Sequence, residues 1–156
     1  MKAATISELK NELIHLHRDE VAELCLRLAR FKKENKELLS YLLFESHDEE
    51  QFRENVKQQM NEQFEEINFK NAYLAKKSFR KILRTTNKYI KYSGNKETET
   101  ELLLHFCGLM QQSSISYKNN KVLFNIYQNQ VKKINAAIDT LHEDLQYDYR
   151  KKSEHL

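Results

Sequence analysis

No proline occurs in the 156 residues, and glycine occurs only at Gly94 and Gly108. Average usage of about 5% proline and about 7% glycine would put several of each in a chain this long. Helix interiors tolerate those two residues worst, so a chain that nearly lacks them can be helical almost throughout. No stretch alternates apolar and polar residues as a half-buried strand does. The fold class expected is therefore all-α, with six to seven helices packed as an irregular bundle or a short array of helical hairpins. A chain of this size can bury roughly two-thirds of its unfolded surface without a metal or disulfide. One domain over residues 1–156 is the default expectation, with 150–156 as a frayed tail.

Charged residues make up 31% of the chain, yet the net charge is only +3. Such a balance implies no global attraction to nucleic acid or membrane, so any such affinity must be local. Cys25 and Cys107 fall on apolar helix faces with no second cysteine nearby, as small hydrophobes in a reducing compartment do. The opening MKAATISELK lacks the apolar core of a signal peptide, and no run approaches the roughly 18 apolar residues of a membrane span. A cytoplasmic location is the expectation.

Local signals place the helices in order. Thr5-Ile6-Ser7-Glu8 has the form of a capping box, followed by a stripe of Ile6, Leu9, Leu13 and Leu16. Asp19 can cap a second helix carrying Val21, Leu24, Cys25, Leu28 and Phe31, and the two should form a hairpin. A third, with Leu38, Leu39, Leu42, Leu43 and Phe44, is apolar enough to be central to a core. Asp48 begins a fourth, acidic helix. From Glu45 to Ile67, eight Asp or Glu face only Arg53 and Lys57, a balance of −6.

The next stretch reverses that charge. From Asn68 to Lys96 the balance is +9, with no acidic residue. Taken as a helix at about 100° per residue, it puts Ala75, Phe79, Ile82, Leu83, Thr86 and Ile90 on one face. Lys77, Arg80, Lys81, Arg84, Lys88 and Lys91 fall on the other. Tyr92-Ser93-Gly94-Asn95 supplies a glycine for the left-handed turn that ends many helices. Thr98 or Thr100 should cap a sixth helix with Leu102, Leu103, Phe106, Leu109 and Met110 around Cys107. Residues 111–120 are polar and the least ordered by composition. Phe124, Tyr127, Val131, Ile134, Ile138, Leu141 and Leu145 then recur in steps of three and four as one long last helix, a seam more often closed within a chain than between two. Helices three, five, six and seven are expected to supply most of the core.

Three segments, SELKNELIHLHRDEVAELCLRLARFKKENKELLSYL, LAKKSFRKI and ELLLHFCGLM, occur in an order that resembles an uncharacterised family of small all-helical bacterial proteins, a domain of unknown function. The resemblance spans most of the chain. It implies a bacterial cytoplasmic helical domain and carries over no activity, cofactor or catalytic residue.

Like charges three and four apart repel by a few tenths of a kcal/mol per pair, so the basic face needs a counter-charge. An antiparallel hairpin with the acidic helix could bring Glu62, Glu65 and Glu66 to its start and neutralise Lys76 and Arg80, leaving Lys77, Lys81, Arg84, Lys88 and Lys91 facing outward. The partner expected for that stripe is an acidic protein surface. The alternative is nucleic acid, with Tyr73, Tyr89 and Tyr92 as stacking platforms. No helix-turn-helix, zinc-finger or RNA-binding signature accompanies it, and no tryptophan is present to anchor a membrane face.

Other chemistry finds less support in the sequence. Glu101 and His105, and Asp139 and His142, could each present two metal ligands on one helix face. A di-iron site, however, needs two Glu-containing pairs and two more inward carboxylates, His142 lies beside the seam and not in it, and Glu101 begins its helix. No glycine-flanked serine or phosphate-cradling loop occurs. The reading is of a non-enzymatic interaction or regulatory module without a cofactor or a membrane partner, monomeric or weakly dimeric through the C-terminal helix.

Overall fold

A computed structural model describes all 156 residues, Met1–Leu156. It contains no strand. Eight α-helices follow one another: α1 (Ile6–Leu13), α2 (Arg18–Phe31), α3 (Lys33–Ser40), α4 (Glu49–Glu65), α5 (Ala72–Ser93), α6 (Lys96–Gln112), α7 (Lys121–Ile138) and α8 (Glu143–Ser153). A π-helical turn, Tyr41–Glu45, follows α3, and a 3₁₀ turn, Tyr117–Asn119, precedes α7. No helix is long and apolar enough to cross a membrane.

The count corrects the expected six to seven. The seam from Phe124 to Leu145 is not one helix but two, because α7 stops at Ile138 and His142 caps α8. Between them the Thr140 hydroxyl donates to the Ala137 carbonyl at 2.7 Å, a local bond that competes with helix continuation. Periodicity alone does not register such a break. α8 then continues through Arg150 to Ser153, and its Tyr149 is buried.

Polar caps fix most of the other boundaries. Thr5 and Glu8 form the capping box that the sequence suggests, with Thr5 N–H donating to Glu8 Oε2 at 2.7 Å. Asp48, Asn71, Asn95 and Asn120 each accept from backbone N–H groups in the first turn of α4, α5, α6 and α7. Asn95 thus takes the cap expected of Thr98 or Thr100, which are instead fully buried inside α6. His17, not Asp19, precedes α2, where its N–H donates to Glu20 at 2.8 Å. Gly94 ends α5 at φ 65°, in the left-handed region where a side chain is strained.

By contacts the chain divides into two units, Met1–Phe44 and Glu45–Leu156. In the first, α2 packs on α3 through Cys25, Ala29, Leu38 and Leu39. None of α1, α2 or α3 buries a side chain. The third helix is therefore not central to a core. Its leucines and the Leu42-Leu43-Phe44 run spread around the helix and π-turn, so one neighbour cannot cover them, and those three residues are exposed.

The second unit holds the core. Phe64 of α4, Phe79 of α5 and Phe106 of α6 meet with ring centroids 5.4, 5.6 and 6.3 Å apart, one ring from each helix. Such geometry contributes about 0.5–1.5 kcal/mol per pair beyond burial. Around them Leu102, Leu103, Cys107 and Met110 of α6 and Leu123, Ile134 and Ile138 of α7 are fully buried. Tyr117 stacks on Tyr127 at 4.5 Å, which orders the stretch whose polar composition suggested least order.

Candidate functional site

Helix α5 has the two faces that its sequence predicts. Ala75, Phe79, Ile82, Leu83, Thr86 and Ile90 are all buried. Lys77, Arg80, Lys81, Arg84 and Lys91 are exposed, and Lys88 is half-buried. From Lys77 to Lys91 the stripe runs about 21 Å at 1.5 Å per residue.

Counter-charge decides what the stripe can do. Some cations elsewhere are paired, Lys33 with Glu37, Arg53 and Lys57 with Glu101, Lys96 with Glu99, and Arg150 with Asp139, whereas others such as Arg27, Arg30, Lys118 and Lys132 are not. No intrachain ion pair engages Lys77, Arg80, Lys81, Arg84 or Lys91. Nor does the acidic helix neutralise the start of α5: Lys76 lies over the ring of Tyr73 at 5.2 Å, and Glu62, Glu65 and Glu66 ion-pair with nothing on α5.

The cations of α4 turn toward α6 instead. Helices α4 and α6 face each other along a polar ladder in which partners advance four residues at a time on both. Glu49 accepts from the hydroxyls of Ser93 and Thr98, the latter at 2.6 Å. Arg53 lies 3.7 Å from Glu97 and 3.6 Å from Glu101, and Lys57 donates to Glu101 at 2.7 Å and to Glu54 at 2.8 Å. His105 Nε2 meets Asn61 Oδ1 at 2.7 Å, which requires the proton on Nε2. From α8, Tyr149 OH stands 2.8 Å from Glu97 and 2.7 Å from Glu101, and its single proton serves one carboxylate at a time.

This ladder titrates as a structural network does. Burial raises the Glu101 carboxyl, but hydrogen bonds from Lys57 and Tyr149 and the charges of Lys57 and Arg53 outweigh it and hold Glu101 below its ordinary range. Burial, then the nearby Lys57 charge, lowers His105 and favours neutral imidazole. Burial chiefly, with hydrogen bonds to Glu101 and Glu97, raises Tyr149. Burial pushes the Cys107 thiol up to about 12, leaving it protonated and unreactive at neutral pH.

His105 and Asn61 also line an open cleft of about 590 Å³ with Phe64, Glu65, Phe69 and Gly108. Neither serine nor cysteine stands within hydrogen-bonding distance of the imidazole. Of the metal pairs suggested by sequence, Glu101 is held by Lys57, Arg53 and Tyr149, and Asp139 by Arg150 at 2.7 Å. No group of three or more His, Cys, Asp or Glu gathers as metal ligands do.

Around the stripe, Lys88 lies 5.2 Å from the Tyr89 centroid and 6.0 Å from that of Tyr92, and Tyr89 packs edge-on against Phe52. Two of the three tyrosines therefore serve internal packing, and Tyr73, 67% exposed, is the open one. One cation comes from elsewhere: Lys133 of α7 places Nζ 3.4 Å from Asn87 Oδ1 on α5. With Lys91, Lys96 and the Glu99 that pairs with Lys96, it borders a depression of about 480 Å³ at the C-terminal end of the stripe. Nothing near Lys133 in sequence marks it, because its neighbour Asn87 lies 46 residues away along the chain.

No family model, curated protein or solved structure matches the chain.

Proposed function

We propose that the chain is a non-enzymatic interaction module whose α5 stripe, Lys77, Arg80, Lys81, Arg84 and Lys91 with Lys133 beside it, binds an acidic protein surface. The second unit serves as its scaffold, an irregular helical bundle, and a bacterial cytoplasm is the setting this reading assumes. One observation carries it: five cations, Lys77, Arg80, Lys81, Arg84 and Lys91, gather on one exposed helix face with no ion pair within the chain, while the half-buried Arg53 and Lys57 of α4 are paired. Side chains on neighbouring turns lie about 5–6 Å apart, well within a Debye length of about 8 Å at physiological salt, so their repulsion is relieved when an anionic partner docks.

The second reading, single-stranded nucleic acid on the same face, draws on Tyr73 but loses Tyr89 and Tyr92 to internal packing. Fluorescence anisotropy distinguishes the two. A labelled helical peptide rich in Glu and Asp should bind, weaken with added salt, and lose affinity when Lys77, Arg84 and Lys91 are all changed to Glu. Labelled single-stranded DNA should bind more weakly than the peptide at the same charge. Tighter DNA binding transfers the proposal to nucleic acid, and absence of binding to both reduces the stripe to solvated surface.

A further inference from the structure

The first unit presents the opposite kind of unfilled surface. Its three helices bury no side chain, and Ile6, Leu9, Leu13, Leu24, Leu28 and Phe31 are all exposed, Phe31 by 76% and Ile6 by 82%. Units of about 40 residues seldom hold a fold without a disulfide, a metal or association. Cys25 is a free thiol and no metal-ligand group is present, so association remains. On α2 itself Leu24, Leu28 and Phe31 recur at steps of four and three as one exposed apolar ridge.

Charge indicates what covers it. The acidic and basic residues of Met1–Phe44 nearly balance, so the unit selects neither an acidic nor a basic partner. Within α2, however, the signs are segregated after its first residue, Arg18. Asp19, Glu20 and Glu23 occupy the rest of its first half, and Arg27 and Arg30 its second, with Lys32 just beyond. Asp19, Glu23, Arg27, Arg30 and Lys32 have no ion pair within the chain. A helix so polarised is complementary to itself when reversed. Two copies crossing antiparallel near Cys25 lay the acidic end of one along the basic end of the other and bring Leu28 of each beside Leu24 of its partner. That arrangement is the closed two-fold contact most homodimers use.

We infer that the exposed α2 face is a homodimer interface, whose occupant is a second copy of this chain bound antiparallel through α2.

Sedimentation of the full chain tests this independently of the α5 stripe. Wild type should sediment at twice 18.7 kDa, and Leu28→Glu at 18.7 kDa. Asp19→Lys with Glu23→Lys, and separately Arg27→Glu with Arg30→Glu, should each weaken self-association by roughly tenfold or more, since like charges then meet. Circular dichroism checks that each variant keeps its helices. Mixing the two charge variants should restore a dimer, because one chain then carries only basic and the other only acidic residues at those positions. A monomeric wild type at every concentration, a dimer that survives Leu28→Glu, or a mixture that stays monomeric overturns the inference. So does loss of the apolar face to lipid vesicles in preference to self-association.

Discussion

Two sets of cations, similar in chemistry and only about a helix apart, do different things in this molecule. Arg53 and Lys57 lie between α4 and α6, with side chains 14% and 21% exposed, and meet Glu97, Glu101 and Glu54. Lys77, Arg80, Lys81, Arg84 and Lys91 make no ion pair within the chain. The same residue types therefore hold helices together in one place and stay in water without an ion pair in the other. Partly buried cations left unpaired are costly, so the ladder had to be completed within the chain. Exposed cations are hydrated and tolerate waiting for a partner.

If the ladder is structural, its central carboxylate is the place to break it. Glu101→Ala strands Arg53, Lys57 and the Tyr149 hydroxyl together, and should cost about 2 kcal/mol. Thermal denaturation would register this as a fall of about 6 °C for a chain of this length. A fall no larger than that of an exposed substitution would erase the distinction between the two sets.

Acid should act on the same ladder. His105 has a folded pKa below its ordinary 6.5 and Glu101 one below its ordinary 4.5. Each lowered group contributes stability that is fully present above its ordinary pKa and lost as pH falls through the folded value. Denaturant midpoints should therefore hold steady above pH 6.5, decline below it as His105 is forced to charge, and decline again below 4.5 as Glu101 protonates. His105→Gln should flatten the first decline and leave the second.

A smaller effect is expected of Tyr149→Phe, which removes one donor from two carboxylates and should cost about 1 kcal/mol. At the bottom of the scale lies the stripe. Lys77→Ala or Arg84→Ala should change stability by less than about 0.5 kcal/mol, and Arg84→Glu should gain a few tenths by relieving repulsion.

The apolar half of α5 was legible residue by residue, because a 3.6-residue period in one long helix is a strong local signal. So were the Thr5 box, the Asp48 cap and the Gly94 stop, each set by chemistry within four residues. The ladder was not. Glu101 and His105 read as a metal pair because their spacing on α6 is visible, whereas Arg53, Lys57 and Asn61 opposite them are some 44 residues away. The acidic character of α4 suggested neutralisation of α5, but net charge says nothing about which way individual side chains point. In the same way amphipathic α2 and α3 announced faces to bury without revealing that the chain leaves them open.

The most direct measurement of the division between paired and unpaired cations is a thermal melt of Lys77→Glu/Arg84→Glu/Lys91→Glu with and without a Glu- and Asp-rich helical peptide. The variant should melt with wild type or slightly above it when alone, because its changed residues hold nothing in place and relieve repulsion. Peptide in excess should raise the wild-type midpoint and leave the variant's unmoved. A variant that melts well below wild type without peptide, or a midpoint that peptide raises equally in both, contradicts the account.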